Sequence, residues 1–555
     1  MSITQRTRHV CRIAHWVLTG GILSTIEVTT QWADGHVVVV NKPAGVPTHR
    51  PDPAIVGVVE RLEAELGEKL GVHHRLDAAT SGVLVFSRSK DAAKSLARTF
   101  ESHSGGKHYL AVVIGRPPLG SGLLEHQLSK TPRDGRILVQ ESEGAEALSR
   151  YKVLAFAGPY TLCELEPITG RTHQLRVQMA AIGCPILGDT LYGGGVGPGR
   201  MLLHAWTLRI QHPVDGAVTF KAAPPDLMDP ASFSLVKLLG ALLEHNVASE
   251  PDKNKDDAYS LATPDRSGLA DVKLERYGSV AAIRVYERDL PYARIRWSDL
   301  DLATLGEALL ERTWCEGAWV IRHPLHSAES APEPAPLAFG VVPAAPYCVG
   351  EEGVRYEISL QAGLGCGLYL DQGENRRRVQ ALASQRNVLN LFSYTCAFSV
   401  AAAVGGASGT TSVDSSKAAL DWGRRNFEAN GLELGPHRFY KDDVMAVLER
   451  LKRRGERFGL VICDPPSFGR AGKRTFSLKK DLGDLMQACL AVVEPGGALL
   501  FCVNHSELSG DLLRRVFQAC SHEAGVDIVS HSLTVGEGGP LAVGTELKSL
   551  WAEVG

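Results

Sequence analysis

From Asn387 onward, short apolar runs alternate with helical runs, and no other feature of the chain narrows its possible folds as much. The runs Asn387–Phe392, Thr410–Asp414, Arg438–Lys441, Gly459–Asp464 and Ala498–Val503 are too short for ordinary helices. Helical stretches separate them: Phe398–Val404, Lys417–Asn430, Val444–Arg454 and Asp481–Val493. Strands joined through helices run parallel, and a parallel sheet is covered on both faces. A doubly wound, Rossmann-like α/β domain is therefore expected over residues 346–555.

The first half has another rhythm. Strand-like runs Val37–Val40, Gly82–Ser87, His108–Ile114 and Tyr160–Glu166 are punctuated by Gly and Pro, with a few helical stretches such as Ala92–Phe100. That pattern predicts an α+β domain over residues 31–246 with a mixed, mainly antiparallel sheet. Residues 247–267 are polar and poor in large apolar side chains, as in a linker, and residues 268–345 read as a small strand-rich module. The extension 1–30 is too short for a domain of usual size.

The chain of 555 residues has a formal net charge of only -3, so it is not a globally basic nucleic-acid binder. Any polyanion must be held by local basic patches. No run of about 18 apolar residues occurs, which argues against a membrane helix. Met1–Val28 lacks a clean small-residue cleavage site and does not read as a signal peptide. Eleven cysteines show neither a CxxC pair nor metal-ligand spacing, the usage of a reducing cytoplasm without a structural metal. A cytoplasmic monomer is expected.

Two groups of motifs carry chemistry. In the first, His74-Arg75-Leu76-Asp77 precedes the strand-like run Val83–Phe86. An acid in such a turn is commonly a cap or an Asx-turn residue. Around it stand Asn41-Lys42-Pro43-Ala44-Gly45, Lys107-His108-Tyr109, Thr169-Gly170-Arg171-Thr172-His173-Gln174-Leu175-Arg176, and Gly188-Asp189 with Tyr192-Gly193. Together, from about Gly35 to Leu227, they resemble the RluA family of pseudouridine synthases. The resemblance implies that Asp77 is the catalytic nucleophile and that Tyr109 packs on the target uridine. It implies that an arginine, Arg176 first and Arg171 second, pairs with the nucleophile. The chemistry is consistent with this. Breaking a C–N glycosidic bond and making a C–C bond needs a carboxylate that attacks or deprotonates the sugar, and no cofactor. A neighbouring guanidinium keeps that carboxylate ionised beside an apolar base. Tyr109 offers a flat face and a hydroxyl. Arg75 is placed to fill the space of an everted nucleotide or to hold a phosphate. Lys42 either brackets a turn or contacts substrate. His173 and Gln174 read as structural hydrogen bonders, and Asp189 as a turn or network residue.

In the second group, Leu391-Phe392-Ser393-Tyr394 ends the first strand of the alternating half, and Asp414-Ser415 ends the second. An acid at the tip of a second strand binds ribose hydroxyls in doubly wound sheets. The GxGxxG phosphate fingerprint is missing, which counts against a dinucleotide more than against S-adenosylmethionine, a ligand without phosphate. Asp443 after the third strand either meets an adenine edge or caps the next helix. Asp464-Pro465-Pro466-Ser467-Phe468 follows the fourth strand, at the sheet edge where ligands bind. Cationic Arg470, Lys473, Arg474, Lys479 and Lys480, interleaved with Phe468 and Phe476, suit phosphate contact and base stacking.

With Gly367–Gln372, Asn375-Arg376, the run around Asp414 and Pro495-Gly496-Gly497, this half resembles the RlmI/RlmK type of large-subunit ribosomal RNA methyltransferases. The resemblance implies a class I methyltransferase fold, S-adenosylmethionine as donor, and Phe392, Ser393, Tyr394, Asp414, Ser415, Asp443 and Asp464 around it. Asn504 stands where the 5-methylcytosine branch has a cysteine, as in the N7-methylguanine branch. The family usually has Gly at Cys396 and Arg at Gly373.

The expectation is a bifunctional RNA-modification enzyme: uridine isomerisation, and base methylation of RNA, with large-subunit rRNA guanine N7 as the leading acceptor. Cytosine C5 or an exocyclic amine are alternative acceptors. A methyltransferase-like half kept as an RNA clamp and a nicotinamide oxidoreductase are the rival readings.

Overall fold

The computed structural model describes residues 16–19, 22–25, 28–51, 55–101, 106–130, 137–140, 144–246, 257–263, 268–286, 288–289, 294–295, 297–323, 337–344, 346–362, 365–471, 474–505, 508–535 and 547–555. The first sheet has eleven strands, with the spatial path Thr29–Ala33, Val37–Lys42, Ser81–Ser87, Leu203–His212, Lys107–Ile114, Tyr160–Pro167, Ala145–Ala157, Ser121–Lys130 and Ile137–Gln140. All its neighbours pair antiparallel except Ser81–Ser87 with Leu203–His212, so the sheet is mixed and mainly antiparallel. Every residue of Ser81–Ser87 is buried, which suits an unbroken apolar run in the middle of a sheet. Gly82 (φ 118°) is required there: a Cβ would lie 2.2 Å from the Ala205 carbonyl oxygen of the parallel neighbour.

The middle module is a five-stranded sheet in the order Ala258–Ala262, Val272–Tyr277, Val280–Tyr286, Gly317–His323, Ala338–Gly340. Its parallel pair, Val280–Tyr286 with Gly317–His323, is joined through the helix Asp299–Leu310. The first of these strands corrects the boundary expected from sequence. Residues 258–262 lie within the polar stretch read as linker, yet they pair with Val272–Tyr277 as an edge strand. The remainder, residues 247–256 and 264–267, falls outside the described residues.

Alternation along Val280–Tyr286 explains how the module sits. Ala281, Ile283 and Val285 belong to a core shared with Leu110, Leu162, Leu239 and Leu243 of the first domain. Val280 and Ala282 belong to a core shared with Val349, Tyr356 and Phe427 of the last domain. Side chains two apart point to the same face, so one sheet buries one face against each neighbour.

The last sheet runs His437–Lys441, Gly409–Asp414, Asn387–Leu391, Phe458–Cys463, Val493–Asn504, Leu547–Val554, Ile528–Val535. The first five strands are parallel and the last two add antiparallel. The strand order reverses at Asn387–Leu391, and the crevice outside the carboxyl ends at that point is where doubly wound folds bind ligands.

Three non-glycine residues, Phe392, Tyr394 and Cys396, hold φ of 55°, 46° and 58° in the turn leaving that strand. Cys396 occupies the left-handed conformation a glycine would take without strain. Its sulfur sits over Gly423 of the helix Lys417–Ala429, where an added Cβ would be 2.4 Å from Sγ. The missing glycine of the turn is thus matched by a glycine across from it. Gly423→Ala is expected to destabilise the chain by about 1–3 kcal/mol through overpacking, and Cys396→Gly in the same chain is expected to recover it; thermal unfolding of the two variants checks this.

Candidate active sites

In the first domain the turn holding Asp77 is fixed from below. Thr80 N–H donates to the Asp77 carbonyl (3.0 Å), and Gly45 N–H to the Ala78 carbonyl (2.8 Å). Thr48 bonds Leu76 through both its hydroxyl proton and its oxygen (2.9 and 3.0 Å). Lys42 completes the tie and corrects an expectation. Its ammonium donates to the carbonyls of Pro43, Val46 and Ala78 (2.9, 2.6 and 3.0 Å) and is fully buried. Burial pulls its pKa down to about 7, while the Asp77 charge opposes that fall. With all three donors spent on backbone, Lys42 is a strut beneath the loop, not a substrate ligand.

Asp77 lines a cleft of about 910 Å³ together with Arg75, Lys107, Tyr109, Arg171, His173 and Arg176. Arg176, on the helix Gln174–Ala181, reaches Asp77 Oδ2 with Nη1 at 3.3 Å. The same guanidinium grips buried Asp189 with Nε and Nη2 (2.7 and 2.8 Å). Arg176 is therefore oriented by a two-bond fork on one acid while it faces the other. Burial works against its charge, and the two carboxylates overcome this and raise its pKa. Tyr109 projects from the strand Lys107–Ile114; burial and the nearby Asp77 charge hold its phenol protonated. Arg171 is exposed and donates to the Glu146 carbonyl (3.0 Å), so Arg176 is the arginine paired with Asp77. Arg75 is exposed at the cleft rim. Gln174 is spent on Thr169, Arg171, Leu148 and Ser149.

Lys107 and Phe100 escaped the sequence reading as site residues. The Lys107 ammonium sits 4.5 Å from the Phe100 ring centroid, and His74 stacks on that ring at 4.5 Å. Burial draws Lys107 down to about 8. The only sequence signal was its place two residues before Tyr109.

The second domain holds a cavity of about 600 Å³ at the switch point of its sheet. Phe392, Ser393, Tyr394, Asp414, Ser415, Asp443, Asp464, Pro465, Pro466 and Asn504 all line it. Asp414 accepts from Tyr394 N–H and Ser416 N–H, both at 2.8 Å, joining the loops after the first two strands. Asp443 caps the helix Val444–Arg454 through Ala446 N–H (3.0 Å) while also facing the cavity. Asp464 accepts from Gln372 Nε2 (2.9 Å). Gln372 in turn accepts from Asn375, which also bonds Ser549 and Trp551. Phe468 lies outside the cavity lining and is 68% exposed on the hairpin Phe468–Ala471/Arg474–Ser477. Lys473 falls outside the described residues, and only the backbone of Arg470 and Arg474 is described.

Gly373 opens the helix Gly373–Leu382, where an added Cβ would be 3.0 Å from Glu351 Oε1. Glu351 is itself held by Arg376 in a buried two-bond pair (2.5 and 2.6 Å). Cys502 is fully buried in its strand, hydrogen-bonded to Gln372 (3.7 Å), and does not line the cavity.

Burial, with the Asp371 charge, raises Asp464 to about 7. An acid raised in the folded state contributes its full stability below the unfolded value near 3.8 and loses it as pH climbs through about 7. The whole displacement is worth roughly 4 kcal/mol, and about half survives because the carboxyl opens onto the cavity. Asp464→Asn is therefore expected to unfold at higher temperature than the parent at pH 8, by roughly 2 kcal/mol, and at nearly the same temperature at pH 4; melting curves at both values check it.

Among the described residues, Asp34, His212 and Asp215 come close enough to hold an ion. His212 Nδ1 accepts from the Val214 and Asp215 amides (3.4 and 3.2 Å) and Nε2 faces Asp34 at 3.1 Å, so the ring is spent on locking a turn. No helix among the described residues is long and apolar enough to cross a membrane.

Comparison with known proteins matches both halves of the chain. Residues 36–181 match the family described as RNA pseudouridylate synthase, and residues 306–529 the family described as S-adenosylmethionine-dependent methyltransferase. The ribosomal RNA large subunit methyltransferase I of Serratia proteamaculans is 31% identical over 276 residues, covering 49% of this chain and 67% of that protein. The protein of the same name from Klebsiella pneumoniae is 29% identical over 272 residues, covering 49% of this chain and 66% of its own length. The chain thus spans about two thirds of the relatives it matches. The solved structure of human RNA pseudouridylate synthase domain containing 1 is 30% identical, covering 37% of this chain and 86% of that one, with a TM-score of 0.33. The chain belongs to the family of the large-subunit ribosomal RNA methyltransferase I proteins through its second half, and it carries an RNA pseudouridylate synthase domain fused ahead of that half.

Proposed function

We propose that the chain is a cytoplasmic, monomeric enzyme that modifies RNA twice: it isomerises uridine to pseudouridine and methylates a base, with large-subunit rRNA as substrate and guanine N7 as the acceptor atom. The contact of Arg176 with Asp77, made by a guanidinium already locked on Asp189, carries the first activity. The overall change is redox-neutral. The N1–C1′ bond breaks, C5–C1′ forms, C5 loses its proton and N1 ends with one. Asp77 attacks or deprotonates the sugar, Tyr109 supports the everted base, and Arg75 at the rim holds the vacated stack or a phosphate. No cofactor is needed for these steps.

The second cavity fits S-adenosylmethionine. Its acids Asp414 and Asp443 stand at the tips of the second and third strands, where the nucleoside end of the donor is held, and its lining has no glycine-rich phosphate cradle. The bound donor supplies an electrophilic methyl group. The Pro465-Pro466 loop and Asn504 orient the acceptor base. Guanine N7 already carries a lone pair and needs placement more than activation. Burial of Cys502 away from the cavity disfavours thiolate addition to cytosine. Incubating the full chain with unmodified 23S rRNA transcript and S-adenosylmethionine, then sequencing the modified nucleotides, tests the proposal. It expects one new pseudouridine and one 7-methylguanine; 5-methylcytosine or an amine-methylated base overturns the acceptor assignment, and no methylation supports a clamp role.

A further inference from the structure

We propose that His173 and Tyr192 form the second arm of a clamp on Asp77, fixing Oδ2 and leaving Oδ1 as the oxygen that reacts with the sugar. The inference rests on the pseudouridine synthase reading and names two positioning residues for it.

His173 precedes the helix Gln174–Ala181 with φ 55°, a left-handed conformation that residues with side chains seldom adopt. That conformation places its ring between two partners. On one side, Tyr192 Oη accepts from Ile137 N–H at 3.1 Å and lies 2.9 Å from His173 Nδ1. The clamp uses the tautomer in which this hydroxyl donates to the imidazole, so that Nδ1 accepts and Nε2 carries the ring hydrogen. On the other side, Nε2 faces Asp77 Oδ2 at 3.8 Å, longer than a hydrogen bond, so this arm of the clamp closes on the carboxylate only with substrate in place. Arg176 Nη1 addresses the same oxygen at 3.3 Å. Among the described residues, no hydrogen bond or ion pair reaches Oδ1.

The groups facing His173 are Asp77 from the preceding turn, Arg176 from its own helix, and Asp189 and Tyr192 from the following loop. Burial and Arg176 lower its pKa, against the two carboxylates. The neutral ring has a single N–H, and Tyr192 decides which nitrogen bears it. Without that hydroxyl, Nε2 can turn a lone pair toward the carboxylate. The imidazolium, with N–H on both nitrogens, restores the donor.

The test uses the full chain and a 23S rRNA transcript tritiated at uridine C5, whose release counts isomerisations. Tyr192→Phe is expected to lower kcat about tenfold at pH 8 with KM within about twofold, and to recover toward the parent rate only as pH falls well below the ordinary imidazole value of 6.5. His173→Gly suits the left-handed backbone and is expected to lose a similar factor with no recovery at low pH. A Tyr192→Phe to parent ratio that stays constant with pH, or parent kcat in His173→Gly, overturns the clamp. Methyl transfer by the same preparations reports that the chain is folded. Tritium release by the parent and none by Asp77→Asn separates failure of the clamp from failure of the synthase reading; no release by the parent sinks both.

Discussion

Asp77→Asn is expected to abolish pseudouridine formation by at least about a thousandfold while methyl transfer by the same chain continues at the parent rate. The substitution is nearly isosteric, and the amide oxygen can still accept from Arg176, which remains held by Asp189. The turn keeps its ties, because Thr80, Gly45 and Lys42 bond to carbonyls of the backbone and not to the carboxylate. Loss of activity with an unchanged melting curve and unchanged RNA affinity therefore isolates the charge and nucleophilicity of one group. Tritium release from a C5-labelled transcript and filter binding of the same RNA supply both readouts. Retained release removes Asp77 from the chemistry.

The sequence went furthest where local pattern and motif coincide. The helix Val444–Arg454 lies where its apolar spacing and the Asp443 cap place it. The five parallel strands follow the alternation that predicts them. Asp77 and Arg176 meet across 99 residues of chain, a pairing legible only because both motifs belong to one recognisable set. What was hidden depends on long-range burial. A lysine in a Gly-Pro loop looks the same whether it faces RNA or three carbonyls, and Lys42 does the latter. The edge strand Ala258–Ala262 is a short apolar island among charges, and only its partner Val272–Tyr277 makes it a strand. The antiparallel pair Ile528–Val535 and Leu547–Val554 went unread because the first mixes its apolar residues with Ser, His and Thr and is largely exposed, and the second is interrupted by Lys548, Ser549 and Glu553. Cys396 read as a defect in the donor turn; the compensating space at Gly423 lies in another helix.

Asp414→Ala is expected to weaken S-adenosylmethionine binding about a hundredfold, with pseudouridine formation intact. Two effects combine. The carboxylate stands at the tip of the second strand, where a ribose diol is recognised in this class of sheet. It also accepts the Tyr394 and Ser416 amides, which fixes both loops that wall the cavity. Each charge-assisted bond of this kind is worth about 1.5–3 kcal/mol, so a hundredfold change asks for little more than one of them. Asp414→Asn separates the contributions. Its amide oxygen can keep one loop bond, but it offers a single acceptor where the diol and the loop together need two. A loss in Asn nearly as large as in Ala shows that both carboxylate oxygens are needed, whereas near-parent affinity in Asn assigns the effect of Ala to the one loop bond that the amide oxygen keeps. Titration calorimetry with the full chain gives both affinities. Parent affinity in Asp414→Ala would move the donor away from the strand tip altogether.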